Sequence, residues 1–224
     1  MNSHTFTETT KREVFITGGT GFMGARLIAE LLRRGHAVRA LTREGSAGKL
    51  PPGCRAVIGN ALKKESYAGQ VRPADTFVQL VGVSHPNPAK AARFRAVDLV
   101  AARAAVSAAV DAGVQHFVYV SVAQPAPVMK AYIAVRAECE ELIRASGLNA
   151  TILRPWYVLG PERRWPYLLA PMYWLFKQLP ATRETAERLG LVTIEQMVRA
   201  LVSAVEDHSQ GIRILGVPQI RQGR

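Results

Sequence analysis

Short apolar runs alternate with helical stretches along most of the chain. The runs are rich in β-branched and aromatic residues and have no polar break, which is typical of parallel strands buried on both faces. The stretches between them repeat apolar residues every three or four positions and end at glycine, as amphipathic helices do. The pattern predicts strands at residues 14–16, 36–42, 55–58, 75–81, 116–121 and 149–154 and helices at 25–34, 62–67, 89–112 and 129–146.

This alternation predicts an α/β fold with a doubly wound parallel sheet and right-handed crossovers. Residues 1–12 are polar and Thr-rich, so we expect a flexible tail there. We expect residues 13–224 to form a single domain. The character changes after residue 155, where residues 156–192 predict a small C-terminal substrate lobe, followed by a helix at 193–207 and a strand at 212–215. Ligands of such sheets bind beyond the carboxyl ends of the strands, so we expect a site there.

A glycine-rich turn joins the first predicted strand to the first helix. Glycines at positions 18, 19, 21 and 24 satisfy the dinucleotide fingerprint in two registers, in the strand-to-helix context that the fingerprint requires. Glycine permits the sharp exit from the strand, the approach of a pyrophosphate to the backbone and the close packing of helix on sheet. Bare amides at the helix N-terminus would bind the phosphates. The predicted contacts of the turn are Gly18, Thr20, Gly21, Phe22, Met23 and Gly24.

The composition indicates a globular protein with an unusual charge. Its 224 residues are 48% hydrophobic and 21% charged, which is ordinary for a domain with a buried core. The net charge of +12 is spread over many segments without a basic arm, so no nucleic-acid partner is expected. Cys54 and Cys139 lack metal-type spacing, so we expect no metal site and a reducing cytoplasm. The N-terminal segment lacks the apolar run of a signal peptide.

The segment 163–180 combines apolar and aromatic residues with basic flanks. It is too short and too interrupted by proline to span a bilayer. It could form a helical lid over a substrate pocket, a docking surface for a hydrophobic partner, or an interfacial helix in peripheral contact with an anionic membrane. The sequence leaves these alternatives open.

The order of the motifs resembles the short-chain dehydrogenase/reductase superfamily, in particular its atypical and extended NAD(P)-binding members, which are NmrA-like or epimerase-like. The resemblance covers residues 14–220 and implies a Rossmann fold with a nicotinamide dinucleotide. It does not select an activity, because the superfamily contains dehydrogenases, epimerases, reductases and non-catalytic sensors. The matching segments are 17–24, 40–43, 59–60, 112–121, 132 with 136, and 153–155 with 160–161.

The end of the second predicted strand favours NADP(H) over NAD(H). NAD-selective members carry Asp or Glu there, where it binds the ribose hydroxyls, whereas this chain has Thr42 and Arg43. A guanidinium can bind a 2′-phosphate through paired, charge-assisted hydrogen bonds. Arg43 is therefore the expected determinant and Lys49 a second candidate. The alternative is that Arg43 is an exposed loop residue beside Glu44.

Further cofactor contacts are expected where the third and fourth strands end. Asn60 stands where the family commonly has Asp near the adenine, and an amide can both donate to and accept from a base edge. A turn-forming Asn after Gly59 is the alternative. The predicted cofactor contacts are completed by Ala61 next to it, by Val81 at the end of the fourth strand and by Gly82 directly after that strand.

The resemblance implies a catalytic Tyr with a Lys four residues later, which stabilises the phenolate and binds the ribose, and a hydroxyl at the end of the fifth strand. Tyr132 and Arg136 have this spacing, which places both on one helix face. Arg136 replaces the Lys with a permanent cation of different geometry. Ser121 is the candidate hydroxyl, although related enzymes place it one or two residues later, where this chain has Val122 and Ala123.

Two functions remain open at this point. The first is an NADP(H)-dependent oxidoreductase that acts on a carbonyl or hydroxyl of a hydrophobic small molecule, with Tyr132, Arg136 and Ser121 as catalytic residues. The second is a non-catalytic NADP(H) sensor or accessory subunit in which the altered catalytic residues are not used. Asp98, where extended members usually carry Asn, has no assigned role. The oligomeric state, monomer or dimer, is open.

Overall fold

The computed structural model describes residues 11–126, 128–161 and 188–223. Within these ranges every predicted strand is present, with ends that differ by a few residues, and a short additional pair follows the sixth strand. The strands are β1 (Glu13–Thr17), β2 (Ala37–Thr42), β3 (Arg55–Ile58), β4 (Thr76–Gln79), β5 (His116–Val120), β6 (Ala150–Leu153), β7 (Tyr157–Leu159), β8 (Leu191–Thr193) and β9 (Ile212–Leu215).

The main sheet is entirely parallel in the order β3-β2-β1-β4-β5-β6-β9. The chain order reverses between β1 and β4, so the carboxyl ends of these strands form the crevice in which ligands of doubly wound sheets bind. The predicted Rossmann fold is thereby confirmed. β7 and β8 pair separately in parallel, an arrangement that the sequence did not predict because each has only three residues.

The helices lie against both faces of the sheet. A π-helical segment, Phe94–Leu99, joins α2 (Ala91–Arg93) to α3 (Val100–Ala112), so the helix predicted at 89–112 is composite. The helix predicted at 62–67 is wrong, and the chain forms short 3₁₀ turns at Lys64–Ser66 and Ala68–Gln70 instead. The helices are α1 (Gly24–Arg33), α2 (Ala91–Arg93), α3 (Val100–Ala112), α4 (Lys130–Ala145), α5 (Ile194–Glu206) and α6 (Val217–Gln222).

A serine side chain explains why the predicted helix at 62–67 does not form. The Ser66 hydroxyl accepts the Asn60 amide hydrogen at 2.9 Å and donates to the Lys63 carbonyl at 2.7 Å. Such side-chain bonds offer the backbone an alternative to helical hydrogen bonds. Gly69, just beyond, further disfavours helix propagation.

Successive strand residues pack into cores on opposite faces of the sheet. Phe15 belongs to the cluster on the side of α3 and α4, whereas Val14 and Ile16 belong to the cluster that includes α1 and α5. The Phe77 ring lies 5.2 Å from Phe15 and 5.3 Å from Phe117, measured between ring centroids. Burial on both faces fixes the strand positions and therefore the crevice at their ends.

Several expectations fall on parts of the chain that the structure does not describe. These are residues 1–10 of the predicted tail, the whole of segment 163–180, and residues 162–187 of the predicted substrate lobe. Among the described residues, no helix is both long enough and apolar enough to cross a membrane.

Candidate functional site

A cleft of about 680 Å³ opens at the carboxyl ends of β1, β4, β5 and β6. The glycine turn, the loop after β4, the first turns of α4 and the segment after β6 form its walls. It brings together nine of the predicted site residues, whereas Thr20, Thr42, Arg43, Asn60, Ala61 and Val81 are not part of its lining. The nine are Gly18, Gly21, Phe22, Met23, Gly24, Gly82, Ser121, Tyr132 and Arg136.

The glycine turn packs so tightly that side chains would not fit. Gly18 has φ +79°, and a Cβ there would lie 3.0 Å from the Leu80 carbonyl carbon. A Cβ on Gly24 would overlap the Gly18 carbonyl oxygen and lie 2.8 Å from the Gly19 Cα. These glycines therefore allow α1 to begin directly against the turn, beside the end of β4.

The N-terminus of α1 fits a phosphate group. No side chain caps the helix at Met23, and its first turn contains no acidic residue. Unpaired amides at a helix N-terminus carry partial positive charge and bind anions. Since Gly21 and Gly24 line the cleft beside these amides, the pyrophosphate of a dinucleotide is compatible with the residues present.

The end of β2 lies outside the cleft and carries an exposed guanidinium. Thr42 is buried, whereas Arg43 is exposed, and no described residue forms an ion pair with its side chain. Lys49 is also exposed, at the end of the short 3₁₀ turn Ala47–Lys49. The only acidic residue in this stretch is Glu44, so an anionic group would meet mainly positive charge.

Asn60 takes part in a turn of the backbone. Its side-chain oxygen accepts a hydrogen bond from the Leu62 amide at 3.0 Å, which is an Asx turn. The structure thus contains the turn that the sequence left as an alternative. The Asn60 amide group remains exposed and able to donate.

The Arg136 side chain is buried on the floor of the cleft and is held by protein groups. Its Nη2 lies 2.7 Å from Asp98 Oδ1, with 8% and 0% of the two side chains exposed. Its Nη1 donates to the Tyr119 hydroxyl at 3.0 Å and to the Val120 carbonyl at 2.9 Å. The other Asp98 oxygen accepts the Val83 amide hydrogen at 3.0 Å. Arg136 thus joins the π-helical segment to β5.

The surroundings of Asp98 and Arg136 shift the pKa values of both side chains. Burial raises the pKa of Asp98 above its usual value, and Arg136 opposes that rise. Burial alone would lower the pKa of Arg136, but Tyr119, Tyr132 and Asp98 raise it well above its usual value. Arg136 therefore stays cationic.

Two features connect the Arg136 guanidinium with the open cleft. Arg136 lines the cleft, although its Nε is buried and has no hydrogen-bond partner among the described residues. A Cβ on Gly82 would overlap Nη2, so only glycine lets the guanidinium lie beneath this loop. A glycine at position 82 is therefore needed to accommodate Arg136, independently of its predicted contact with the cofactor.

Tyr132 lines the cleft and also packs against the core cluster that contains Phe94. Its ring lies 4.9 Å from that of Phe94, and the Arg136 guanidinium carbon lies 5.1 Å from its centroid. The Tyr132 hydroxyl has no hydrogen-bond partner within the described part of the chain.

The Ser121 hydroxyl is engaged by a buried carboxylate. It donates to Glu140 Oε1 at 2.6 Å, and the same carboxylate receives hydrogen bonds from Arg154, Arg144 and Gln124. Burial by itself would raise the pKa of Glu140, but the bonds from Arg154 and Ser121 lower it. Because Glu140 is ionised, Ser121 can accept a hydrogen bond from a ligand and cannot donate one.

The remaining wall of the cleft is mainly apolar. Trp156 and Tyr157, expected on the substrate side, line it with an edge-to-face contact of 5.6 Å between centroids. The loop after β4 adds His85, whose φ is +49° and whose carbonyl, like that of Ser84, accepts from Lys90. Other apolar lining residues are Leu80, Val83, Val120, Val122, Pro155 and Val158.

Sequence reasoning missed the two acidic residues of the site. Asp98 carried a visible signal, because it places a negative charge where the family usually has a neutral Asn, while Arg136 keeps the positive charge of the family Lys. Glu140 carried no signal, since a glutamate on an amphipathic helix is normally exposed. Both partnerships join segments that are far apart in the chain.

Comparisons with known proteins identify the family of the chain and agree with its fold. The family described as NAD(P)H-binding matches residues 18–168. A 3-beta-hydroxysteroid dehydrogenase of Mycolicibacterium neoaurum is 35% identical over 47% of this chain and 31% of its own length. A ceramide reductase of Caulobacter vibrioides is 27% identical over 85% of this chain and 60% of its own length. The matched part of the chain thus spans less than two thirds of each relative.

One solved structure illustrates the agreement in fold. The Bordetella bronchiseptica enzyme WbmH, in complex with NAD+, superimposes with a TM-score of 0.69 over 92% of this chain and 76% of its own. At 22% identity this likeness concerns the fold alone.

Proposed function

Because the chain belongs to the NAD(P)H-binding family within the short-chain dehydrogenase/reductase superfamily, we propose that it is an NADP(H)-dependent oxidoreductase of hydrophobic small molecules. Membership confirms the resemblance that the motifs predicted, and a nicotinamide dinucleotide is the cofactor of this family. The observation that carries the proposal is the free Tyr132 hydroxyl in a cleft with a phosphate-compatible helix end on one side and an apolar wall on the other. Residues 13–224 act as one domain in this proposal.

The residues divide the work between cofactor and substrate. The glycine turn and α1 N-terminus would hold the pyrophosphate, and Gly82, which lines the same cleft, would face the rest of the dinucleotide. A bound reduced nicotinamide supplies a hydride. Tyr132 would donate a proton to the substrate oxygen, or accept one in the reverse direction. Ser121 would accept a hydrogen bond from a substrate hydroxyl.

A hydrophobic substrate is supported by the cleft and by the names of relatives. Trp156, Tyr157 and the aliphatic residues beside them offer an apolar surface next to Tyr132. Two relatives are named as a steroid dehydrogenase and a ceramide reductase. We therefore expect a carbonyl or hydroxyl on a large apolar skeleton.

The proposed turnover is tested with NADPH oxidation against aldehydes, ketones and quinones of increasing apolar size. The wild type should turn over at least one class, and Tyr132→Phe should lower kcat by about two orders of magnitude or more, because the proton donor is lost. Tyr67→Phe, which removes the hydroxyl of a buried core tyrosine that does not line the cleft, serves as the control. Turnover unaffected by Tyr132→Phe would refute the assigned role.

The proposed preference for NADP(H) is carried by Arg43. Its exposed guanidinium can pair with a 2′-phosphate, and Thr42 replaces the acidic residue that would repel such a group. Arg43→Ala should weaken NADPH binding about tenfold or more and leave NADH binding nearly unchanged, as measured by nucleotide fluorescence titration. Lys49→Ala shows whether the second cation contributes. Equal NADPH affinity in Arg43→Ala and wild type would refute the preference.

A non-catalytic NADP(H) sensor or accessory subunit is the second candidate. It is favoured by the engagement of Arg136 with Asp98 and of Ser121 with Glu140, which leaves neither in the form that the family uses. NADPH binding with no turnover across the substrate panel would support this candidate.

The segment 163–180 lies outside the described residues, and its proposed contact with anionic membrane surfaces is a separate question. The test is co-sedimentation with anionic and with neutral liposomes. It compares the wild type with a variant in which the basic residues that flank this segment are replaced. A cytoplasmic location remains a prediction.

A further inference from the structure

We infer that Asp98 neutralises Arg136 so that Tyr132 is kept as a proton donor, which biases the cleft toward reduction of a carbonyl and against oxidation of a hydroxyl. This inference rests on the proposed function and adds a direction to it. Asp98 is a positioning residue here, because it acts through Arg136 and does not face the cleft.

The pair is fixed in one arrangement. Asp98 is fully buried, and one oxygen lies 2.7 Å from Arg136 Nη2 while the other accepts the Val83 amide. Arg136 Nη1 is bound to Tyr119 and to the Val120 carbonyl. The guanidinium packs directly against Gly82, where an added Cβ would overlap Nη2.

The charge of this pair determines which form of Tyr132 is stabilised. A lone cation 5.1 Å from the Tyr132 ring favours the phenolate, as the family Lys is expected to do. Asp98 at contact distance converts that cation into a neutral pair, whose field at the ring is much weaker. Oxidation of a hydroxyl requires the phenolate to accept its proton, whereas reduction requires the phenol to donate one.

The reductive step balances as follows. The substrate carbon gains a hydride from a reduced nicotinamide, the C=O π bond breaks, and the oxygen takes the proton of Tyr132 Oη. The resulting phenolate regains a proton from water. Ser121 supplies no proton, because its hydrogen is bound by Glu140, but it can accept from the hydroxyl that forms.

Other ionisable groups around Tyr132 must be considered when pH is varied. Arg136 and Cys139 lie on the same helix, Asp98 lies on the π-helical segment, and Tyr119 lies on β5. His85 lies on the loop across the cleft. Burial raises the pKa of Cys139 and raises that of Tyr119 well above its usual value, so neither charges near neutral pH.

The test is the isosteric change Asp98→Asn, which removes the negative charge and leaves one oxygen, placed to accept either from Arg136 Nη2 or from the Val83 amide. We expect the ratio of kcat for alcohol oxidation to kcat for carbonyl reduction, each at saturating substrate and neutral pH, to rise about tenfold, corresponding to a shift of about one pH unit. The tyrosinate absorbance that is lost in Tyr132→Phe should appear about one pH unit lower in Asp98→Asn. Asp111→Asn, which removes an exposed carboxylate on α3, is the control and should change neither.

The outcomes separate this inference from the proposed function. An unchanged ratio together with an unchanged tyrosinate midpoint in a folded Asp98→Asn variant overturns the inference. If no substrate is turned over, the proposed function fails, and the tyrosinate midpoint still decides the role of Asp98. If Asp98→Asn does not fold, the double variant Asp98→Asn/Arg136→Lys, which restores the residue pair usual in the family, replaces it. The inference is overturned unless the tyrosinate midpoint of this double variant is also lowered by about one pH unit.

Discussion

Replacing Arg136 with methionine should lower the free energy of unfolding by about 3–5 kcal/mol, because Asp98 is left buried without its partner. The structure sets this magnitude. None of the Asp98 side chain and only 8% of the Arg136 side chain is exposed, so water cannot take over the lost contacts. After the change, the Val83 amide would be the remaining hydrogen-bond donor to the Asp98 carboxylate.

A double-mutant cycle isolates the pair. Asp98→Asn alone leaves a buried cation and should also destabilise, whereas the double variant removes both charges and should recover about 2 kcal/mol of the summed loss. The assay is urea unfolding at neutral pH, monitored by far-UV circular dichroism. The dependence of the unfolding free energy on urea concentration should be the same in all variants.

A surface pair provides the matched control. Arg95 lies 2.9 Å from Glu138 with 66% of its side chain exposed, so Arg95→Met should cost less than about 1 kcal/mol. The reasoning is refuted if Arg136→Met costs no more than Arg95→Met, or if the cycle is additive within about 0.5 kcal/mol.

Two further predictions concern pH and the glycine turn. Burial, with a smaller effect of His208, lowers the pKa of His116 from 6.5 to about 4. The unfolded chain therefore binds more protons between these values, and stability should fall by about 3 kcal/mol as the pH falls from 6.5 to 4. In urea titrations, His116→Gln should reduce the fall in the free energy of unfolding between pH 6.5 and pH 4. An unchanged pH dependence would show that His116 does not cause this fall. Gly24→Ala should cost about 1–3 kcal/mol and abolish measurable NADPH binding in a fluorescence titration, because its Cβ overlaps the turn. Gly48→Ala, with nothing within 4 Å of the added Cβ, should leave both unchanged, and equal effects at the two positions would refute the packing argument.

The sequence by itself determined the fold and the position of the site. Strand and helix periodicities are local properties, and a parallel sheet with alternating helices leaves few topologies. The glycine spacing at the end of β1 likewise specified a phosphate-compatible turn, because only glycine tolerates such close packing. These signals predicted the cleft edge and its glycine-rich wall before any contact was known.

Only the tertiary structure decided what the polar residues of the cleft do. Spacing placed Tyr132 and Arg136 on one helix face, but the partner of Arg136 is Asp98, on a segment that the crossover between β4 and β5 brings beneath it. Ser121 meets Glu140 in the same way. Periodicity reports which face of an element is buried and carries no information on which distant charge it meets. The protonation and donor state of the site depend on those charges, so the tertiary contacts determined the chemistry that the cleft can support.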